Sequence, residues 1–444
     1  MDDDAGRVTY QVGDQAGQNV EIFVNATGDQ PSLWSRLIGI ATLGNSDQQY
    51  QRLGWKSWPD IDELSGPAWI PFVLAGDTSS FVGNIPPADC MHQSLPYLGC
   101  QTLQDLVLPG SHDSGMSMIN NRKSVLAGPN TQTQDLNVYE QLVAGIRFFD
   151  IRPVWYEGEW WTGHYVRGAI FEGANGESLD AVIGDITDFV TDHHELIILN
   201  VDNFLNRSIK EWNSNLSEDY FVEVMDILAD IPNLYVAEEG TMLTSLTLDT
   251  FISTGPAVLI IMNYLPGTDL LQRAGRHRQG FYYANELLVS GEYANTMDPD
   301  TMERDQYRKF QEWSLNPPSG SLFQFSWQMT LGSSFLDPTE GHADVANLQL
   351  AEAAGSMPPA ASIINWYSNT RIPNIVSIDY VREVKQLAAL CLAMNRWYNR
   401  CAVSTSDSTS NNTTSGATLE STSDAIPSDS AWGDWQSWGR WEPN

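Results

Sequence analysis

The chain has 444 residues, and 56 acidic side chains against 23 lysines and arginines give it a formal net charge of −33. Long-range repulsion at this charge opposes general binding to nucleic acid or to an anionic bilayer, although it leaves room for a small basic pocket. No stretch of the sequence reaches the roughly 18 apolar residues that a membrane-spanning helix needs, so no such helix is predicted.

Residues 1–95 are predicted to form a β-sandwich-like accessory domain. Apolar and polar residues alternate over Val8–Val12 and Asn19–Asn25, with Gly and Asp between the two stretches. The opening Met-Asp-Asp-Asp lacks the basic and apolar start of a signal peptide. The sequence therefore predicts either a cytoplasmic protein or a secreted one whose leader is omitted from the given start.

Residues 96–402 are predicted to form an α/β domain, a (β/α) barrel of the TIM type. Short apolar runs alternate there with helix-like segments such as Asp180–Thr191 and Tyr220–Ile231. This alternation is typical of a parallel sheet covered on both faces, and at this length a closed barrel is the expected form. The apolar runs are Leu106–Leu108, Ile146–Ile151, Leu196–Val201, Val258–Met262, Leu322–Trp327 and Ile375–Ile378.

Residues 403–444 are predicted to be a low-complexity tail. Ser404 to Ser430 is rich in Ser, Thr, Asn and Asp with almost no apolar residues, so it cannot bury enough surface to fold and is expected to be disordered. A tryptophan then recurs at every third position, which suits a polyproline-like ribbon or one face of a short helix. A docking tail, a tryptophan-mannosylation site and an idle tail all stay open. These residues are Trp432, Trp435, Trp438 and Trp441.

The four cysteines, Cys90, Cys100, Cys391 and Cys401, form two pairs with equal local spacing. Four cysteines allow three connectivities. The even count and matched spacing favour two local disulfides, Cys90–Cys100 and Cys391–Cys401, and four free buried thiols are the alternative. No Cys/His grouping with zinc-ligand spacing is present.

Polar residues that follow the predicted barrel strands are the candidates for catalysis, because catalytic groups in such barrels lie at the carboxyl ends of the strands. Alternation along a strand places Asp150 and Arg152 on one side, and buried charges there must be paired or bind a ligand. Trp160-Trp-Thr-Gly-His164 supplies an imidazole after a short strand. The residues that follow longer strands are His112, Asp113, Arg152, Asp202 and Asp379.

The motifs LPGSHDSG around His112 and GIRFFDIR around Arg152, the Gly-His pair ending at His164 and the strand that begins at Glu195 occur in a fixed order. Together they resemble the X domain of phosphatidylinositol-specific phospholipases C. The match is strongest over residues 101–205 and extends more weakly to IVSIDYV, so it covers most of 101–395. It does not cover the N-terminal β region or the tail.

The resemblance implies a phosphodiesterase that works with two histidines. His112 matches the general base that deprotonates the inositol 2-hydroxyl, and His164 matches the general acid that protonates the departing diacylglycerol oxygen. The product would be a cyclic inositol phosphate. Asp379 matches the carboxylate that orients the base, Asp113 would neighbour the acid step, and Arg152 would offer a planar pair of donors to the phosphate.

The resemblance favours catalysis without a metal cofactor. Arg152 stands where calcium-dependent members are expected to present a carboxylate, whereas metal-independent bacterial members present an arginine. Asp202 departs from the bacterial pattern, in which a lysine is expected. Asp113, Asp150 and Asp202 together remain a possible oxygen-ligand set for Ca²⁺ or Mg²⁺.

The substrate contacts are less specific. Tyr293 resembles the tyrosine under the inositol ring, and Asp150 and Asp202 are the other candidates for substrate binding. Bacterial members are expected to have a basic residue where Asn263 ends its strand. The basic cluster Arg273–Arg278 is either a phosphate or lipid contact or a solvated loop.

The expected partners are a phospholipid or another phosphodiester and a transient membrane surface, with no nucleic acid, and the protein is expected to be a monomer. Two alternatives stay open: a metal-dependent phosphodiesterase acting on a glycerophosphodiester or a sphingolipid, and a non-catalytic binding protein that keeps the barrel.

Overall fold

The computed structural model describes residues 86–120, 131–166, 172–330, 371–381 and 387–397, with 342–343, 345–347, 350 and 401. Before residue 86 it describes the backbone of five strands. The chain divides into two compact units, Met1–Cys401 and Ala402–Asn444. The predicted disordered tail and its tryptophans lie outside the described residues.

The N-terminal region contains strands, as its alternating pattern predicts. β1, β2 and β3 form an antiparallel sheet in that order, and β4 and β5 form an antiparallel hairpin. A separate accessory domain with a boundary at residue 95 stays a prediction. The strands are β1 (Gly6–Gln11), β2 (Asn19–Val24), β3 (Gly39–Ala41), β4 (Leu74–Asp77) and β5 (Ser80–Gly83).

An eight-stranded parallel sheet forms the barrel that the alternating strands and helices predict. Its first strand, β6, pairs with the second strand on one side and with the last on the other, so the sheet curls round on itself. Among the described residues no ladder joins β15 to β16, so the barrel is open there. The strands are β6 (Leu108–Ser111), β7 (Phe148–Ile151), β11 (Leu196–Val201), β14 (Ala257–Met262), β15 (Phe281–Tyr283), β16 (Val289–Ser290), β17 (Leu322–Ser326) and β18 (Ile375–Ile378).

Side-chain alternation along the strands divides the core into two layers. In β11, Leu196 and Ile198 belong to a cluster that fills the barrel interior with Phe148 of β7. Ile197 and Leu199 belong to a second cluster, in which the buried faces of the outer helices pack on the sheet. Both faces of the strand are therefore apolar, which is why the run reads as continuously hydrophobic in the sequence.

The helices cover the outside of the barrel and close its lower end. Among the described residues none has the length and apolar character needed to cross a bilayer. Short 3₁₀ turns span Leu103–Asp105, Asn213–Asn215 and Leu243–Ser245. The α-helices are α1 (Cys90–Gln93), α2 (Leu95–Leu98), α3 (Val138–Val143), α4 (Leu179–Asp192), α5 (Glu218–Leu228), α6 (Leu248–Ile252), α7 (Leu270–Arg273), α8 (Pro299–Leu315) and α9 (Leu387–Trp397).

A second, five-stranded sheet at the carboxyl end of the barrel is built from segments inserted after β7 and after β11. Its order is β10-β9-β8-β12-β13, and only the β8–β12 pairing is parallel. It therefore extends the barrel rim on the side of the second and third barrel strands. The strands are β8 (Pro153–Tyr156), β9 (Glu159–Val166), β10 (Glu172–Ser178), β12 (Leu205–Asn206) and β13 (Glu211–Trp212).

A buried ion pair joins the lower end of the barrel to α1. Arg147 precedes β7 and Glu195 precedes β11, and their side chains are 2.7 Å apart and fully buried. The guanidinium also donates to the carbonyls of Leu142, Ile146 and Ala88. The carboxylate accepts from the backbone amides of Met91 and His92. Arg147, the first arginine of GIRFFDIR, therefore stabilises the fold. Arg152, the second, lies at the opposite end of β7.

The disulfide pairing differs from the prediction. Cys100 is bonded to Cys401, 301 residues away in the sequence. Cys90 and Cys391 are free and buried. The predicted pairs Cys90–Cys100 and Cys391–Cys401 are therefore wrong. Local spacing misleads because the fold brings the segment after α2 against the end of the last helix, where Gln101 donates to the carbonyl of Asn395.

Replacing Cys100 and Cys401 together by serine is expected to lower the free energy of unfolding by about 2–5 kcal/mol, because the bond closes a very long loop in the unfolded chain. Urea unfolding without reductant measures the loss, and wild-type protein treated with dithiothreitol is the matched control. A non-reduced peptide map that joins Cys100 to Cys90 instead would contradict the pairing.

Candidate active site

Four barrel strands that end side by side carry the candidate residues to one rim. The sheet order β11-β7-β6-β18 makes their carboxyl ends neighbours. Asp202 follows β11, Arg152 follows β7, His112 follows β6 and Asp379 follows β18. Side chains two positions apart in a strand lie on the same face of the sheet. Each of the four candidates stands two positions after a strand residue on the inner face of the barrel, so its side chain also points inward.

His112 and Asp379 form a close pair. His112 Nδ1 lies 2.7 Å from Asp379 Oδ1, and both side chains are largely buried. The buried side chain of Gln134 holds the two strand ends together, because its Nε2 donates to the carbonyls of His112 and Ile378. A carboxylate at Nδ1 fixes that nitrogen as the donor, which leaves Nε2 of His112 able to accept a proton.

His164 faces His112 across the rim. Their ring centroids are 6.1 Å apart and the ring planes are nearly perpendicular. His164 Nδ1 lies 3.2 Å from the carbonyl of Thr131 and 3.4 Å from Asp113 Oδ2. The prediction that His164 follows a short strand is wrong. His164 lies within the eight-residue strand β9. The inserted sheet therefore supplies this histidine, whereas a barrel strand supplies His112.

Arg152 is held between two carboxylates below the histidines. Its Nη1 lies 2.8 Å from Asp113 Oδ2, and its Nη2 lies 2.7 Å from Asp150 Oδ2. Asp150 also accepts from Arg152 Nε and from the backbone amide of Asp113. Asp113 has a φ of +46°, which aspartate tolerates better than most residues. The guanidinium is thus fixed in orientation and still has N–H groups left over from its five.

Asp202 and Asn263 mark the neighbouring strand ends. Asp202 accepts from the backbone amide of Asn203, and its charge is one of those that raise the pKa of Arg152. Asn263 donates to Asn200 on the adjacent strand. An asparagine pair therefore occupies the place at which a basic residue is expected in bacterial members.

The carboxylates do not form a metal-binding group. Asp113 and Asp150 both pair with Arg152, whose positive charge stands where a cation would bind them. Within the described ranges no group of three or more His, Cys, Asp or Glu side chains is arranged to hold a metal ion. The alternative ligand set Asp113, Asp150 and Asp202 therefore does not fit Ca²⁺ or Mg²⁺ in this arrangement.

The charges of the site separate the pKa values of the two histidines. Burial alone would lower the pKa of His112, but the Asp379 carboxylate outweighs it, and the net pKa is above 6.5. Burial and the positive charges of Arg152 and His112 lower the pKa of His164 to about 3. Burial raises the pKa of Asp113 to about 7 although Arg152 opposes this. Burial would also raise the pKa of Asp150, but Arg152 brings it below its usual value.

Histidine NMR tests this electrostatic arrangement without any assay of activity. We expect His112 to titrate above pH 6.5 and His164 far below it. In Asp379→Asn the raising carboxylate is gone while burial and Arg152 still disfavour the charged ring, so the midpoint of His112 should move downward. Asp226→Asn, which removes an exposed carboxylate paired with Arg276, should leave it unchanged. An unshifted midpoint in Asp379→Asn would contradict the pairing.

Other candidates lie apart from the histidine pair. Tyr293 follows β16 and is 54% exposed, and its carbonyl accepts from Lys309. No contact joins it to the described residues of the histidine pair. The basic cluster is engaged in ion pairs: Arg273 with Glu218 and Asp269, Arg276 with Asp226, and His277 and Arg278 with Glu286. Each of its arginines is therefore paired with a carboxylate, and a phosphate or lipid contact at this cluster stays a prediction.

The residues that support the site carry no motif in the sequence. The segment after residue 130 contributes Gln134 and Thr133, whose hydroxyl donates to the carbonyl of Asp113. Ser114 donates to the carbonyl of Ser111 and accepts from the amide of Asp150. These are ordinary polar residues without a motif, and no pattern in the sequence distinguishes them from a surface loop.

Two known proteins are similar to part of this chain. No protein-family model matches the chain. The 1-phosphatidylinositol phosphodiesterase of Listeria monocytogenes is 35% identical over 122 residues, which are 27% of this chain and 33% of that protein. A PI-PLC X-box domain-containing protein of Dictyostelium discoideum is 31% identical over 110 residues, 22% of this chain and 14% of that protein. These relatives confirm the resemblance seen in the motifs, over much less than their own length.

Solved structures of phosphatidylinositol-specific phospholipases C are also similar. A mutant of the enzyme from Staphylococcus aureus is 18% identical, covers 70% of this chain and 96% of its own, and has a TM-score of 0.48. The enzyme from Listeria monocytogenes is 20% identical, covers 68% of this chain and 98% of its own, and has a TM-score of 0.43. The assignment of the barrel rests on this chain's own strand order and not on these scores.

Proposed function

We propose that this chain is a phosphodiesterase that cleaves the glycerol–phosphate bond of an inositol phospholipid by general base and general acid catalysis. The observation that carries the proposal is the pair of imidazoles, His112 and His164, that face each other 6.1 Å apart at the barrel rim. The similarity to a phosphatidylinositol phosphodiesterase supports the choice of head group.

His112 is the proposed base. Its Nδ1 is bound to Asp379, so Nε2 takes the proton from the inositol 2-hydroxyl, and that oxygen attacks the adjacent phosphorus. Asp379 then stabilises the imidazolium that forms. The pKa of His112, held above 6.5 by this carboxylate, suits a base that works near neutral pH.

Asp113 and His164 together are the proposed acid. Burial and the positive charges of Arg152 and His112 lower the pKa of His164 to about 3, so the neutral ring has to gain a proton before it can act as the acid. A bound phosphate brings negative charge, which favours the imidazolium form of His164. Asp113 Oδ2, which lies 3.4 Å from Nδ1 of His164, stabilises this imidazolium, and Nε2 of His164 then donates its proton to the departing diacylglycerol oxygen.

Arg152 is proposed to bind the phosphate oxygens with the N–H groups that Asp113 and Asp150 leave free. A planar guanidinium donates two parallel hydrogen bonds to a phosphate and stabilises charge that develops on its oxygens. No step is assigned to a metal ion, because Arg152 pairs with both nearby carboxylates. Tyr293 and Asp202 remain proposed substrate contacts, with Asp150 acting through Arg152.

We propose secretion and action at a membrane surface, by a monomer. The Cys100–Cys401 disulfide supports the location, because such bonds persist in oxidising compartments and are rare in the cytosol. The charge of −33 favours neutral lipid surfaces over anionic ones.

The decisive experiment is incubation with phosphatidylinositol, with and without EDTA, followed by phosphorus NMR. Inositol 1,2-cyclic phosphate should appear in both samples. Cleavage of a glycerophosphodiester or sphingomyelin instead would replace the proposed head group, and loss of turnover with EDTA would overturn the metal-free mechanism. If the protein turns over no phosphodiester, the alternative of a non-catalytic binding protein is supported instead.

A further inference from the structure

Arg207 differs from most arginines in the described part of the chain, which pair with carboxylates. It follows β12, and only 8% of its surface is exposed. Its guanidinium has no carboxylate partner among the described residues, and its hydrogen-bond partners there are Asn175 Oδ1, 3.5 Å from Nη1, and the Tyr165 hydroxyl. An isolated buried charge is costly, and a chain with a net charge of −33 has acids in excess to pair it.

Two tyrosines flank the guanidinium. Its central carbon lies 3.8 Å from the ring centroid of Tyr156 and 5.8 Å from that of Tyr165. The Glu157 carboxylate accepts from the Tyr156 hydroxyl. The rings supply cation–π stabilisation to the faces of the guanidinium. Beyond its contacts with the Tyr165 hydroxyl and Asn175, the guanidinium has N–H groups left, of its five, for a planar pair of acceptor oxygens.

Asn175 provides a second, independent sign of a ligand. Its Oδ1 accepts from the Tyr165 hydroxyl at 2.6 Å as well as from Arg207. Its Nδ2 is buried and has no hydrogen-bond partner among the described residues. A buried donor without a partner is expensive, and here it adjoins a guanidinium with unused N–H groups. Both groups are donors, so the missing partner is an acceptor with negative charge.

The position of Arg207 indicates where that acceptor comes from. Arg207 begins the loop between β12 and β13, which follows Asp202 at the end of β11 and so belongs to the rim that carries His112. Ile209 in this loop is 60% exposed. An exposed aliphatic side chain beside a buried cation suits a surface that offers phosphate groups above an apolar layer.

We propose that Arg207, Tyr156, Tyr165 and Asn175 form a phosphate-binding site outside the catalytic histidine pair, which holds the phosphate group of a zwitterionic phospholipid or a free phosphate ion. The lipid source rests on the proposed function, since it requires that the rim meets a membrane. The net charge of the chain disfavours anionic surfaces, so a neutral headgroup such as phosphocholine is the lipid ligand.

Binding measured without turnover tests the site. His112→Ala protein is mixed with phosphatidylcholine vesicles in a flotation assay and, separately, titrated with inorganic phosphate by calorimetry. Adding Arg207→Gln should weaken binding in at least one arm by about 10- to 100-fold, the range expected for a charge-assisted hydrogen bond. Arg276→Gln, at an exposed arginine paired with Asp226, is the matched control and should bind like its parent.

Each outcome is informative. Weakening only with vesicles identifies a headgroup, and weakening only with phosphate identifies the free ion. Equal binding by the Arg207→Gln and Arg276→Gln proteins in both arms overturns the site. If Arg207→Gln does not fold, the Nε–H NMR signal of Arg207 in the parent protein should still shift on adding phosphate, and an unmoved signal also overturns it. Because phosphatidylcholine is not the proposed substrate, this result stands whether or not phosphatidylinositol is cleaved.

Discussion

Replacing His112 or His164 by alanine is expected to lower phosphatidylinositol cleavage by a factor of about 10²–10⁴ each, the usual contribution of a general base or acid. The loss should appear in kcat, because each imidazole moves a proton only as the bond to phosphorus forms or breaks. Initial rates from phosphorus NMR measure it. Both rings are partly exposed at the rim, so the variants should fold, and their thermal unfolding should resemble that of the parent.

A variant with both His112→Ala and His164→Ala tests whether the two histidines act in the same chemical step or independently. If His112 and His164 serve one displacement, removing both should cost much less than the product of the two single losses. His194→Ala is the matched control, because its ring contacts His92 and not the rim. A single variant that keeps the parent rate would show that its histidine has no part in the chemistry.

Replacing Arg147 by alanine is expected to lower the free energy of unfolding by about 3–5 kcal/mol, because it leaves Glu195 charged and unpaired in the core. Both side chains are fully buried. Burial keeps the pKa of Glu195 above its usual value in spite of Arg147. The attraction between the two charges therefore offsets only part of the free-energy cost of burying them. The total stability of a domain is about 5–15 kcal/mol, so this loss would be severe.

The double variant Arg147→Met with Glu195→Leu is the matched comparison. It removes both charges and keeps similar volume, so it should recover much of the lost stability. Glu195→Gln should also be costly, because it leaves the Arg147 guanidinium without a carboxylate and replaces one of the two oxygens that accept from Met91 and His92 with an N–H donor. Urea unfolding gives the free energies. If Arg147→Ala unfolds at the parent midpoint, the ion pair does not stabilise the lower end of the barrel.

The periodicity of the sequence was sufficient to predict the barrel. Its strands read as continuous apolar runs because both faces are buried, and the polar residues that end them lie together because parallel strands carry their carboxyl ends to one rim. The proximity of Asp150 and Arg152 followed from side-chain alternation alone. His112 and Asp379 are far apart in the chain, yet β6 and β18 are neighbours in any barrel that closes in chain order.

The sequence by itself determined the barrel, the strand-end residues and the resemblance to phosphatidylinositol phospholipases C, since all of these depend on local pattern. Only the tertiary structure decided the remaining contacts, because each joins segments whose separation leaves no periodic signal. Cys100 bonds to Cys401 and not to a nearby cysteine. His164 reaches the site from the inserted sheet, Gln134 ties two strand ends, and Arg207 is buried without a carboxylate partner among the residues that the structure describes. Long-range packing fixes such pairs, and spacing along the chain does not.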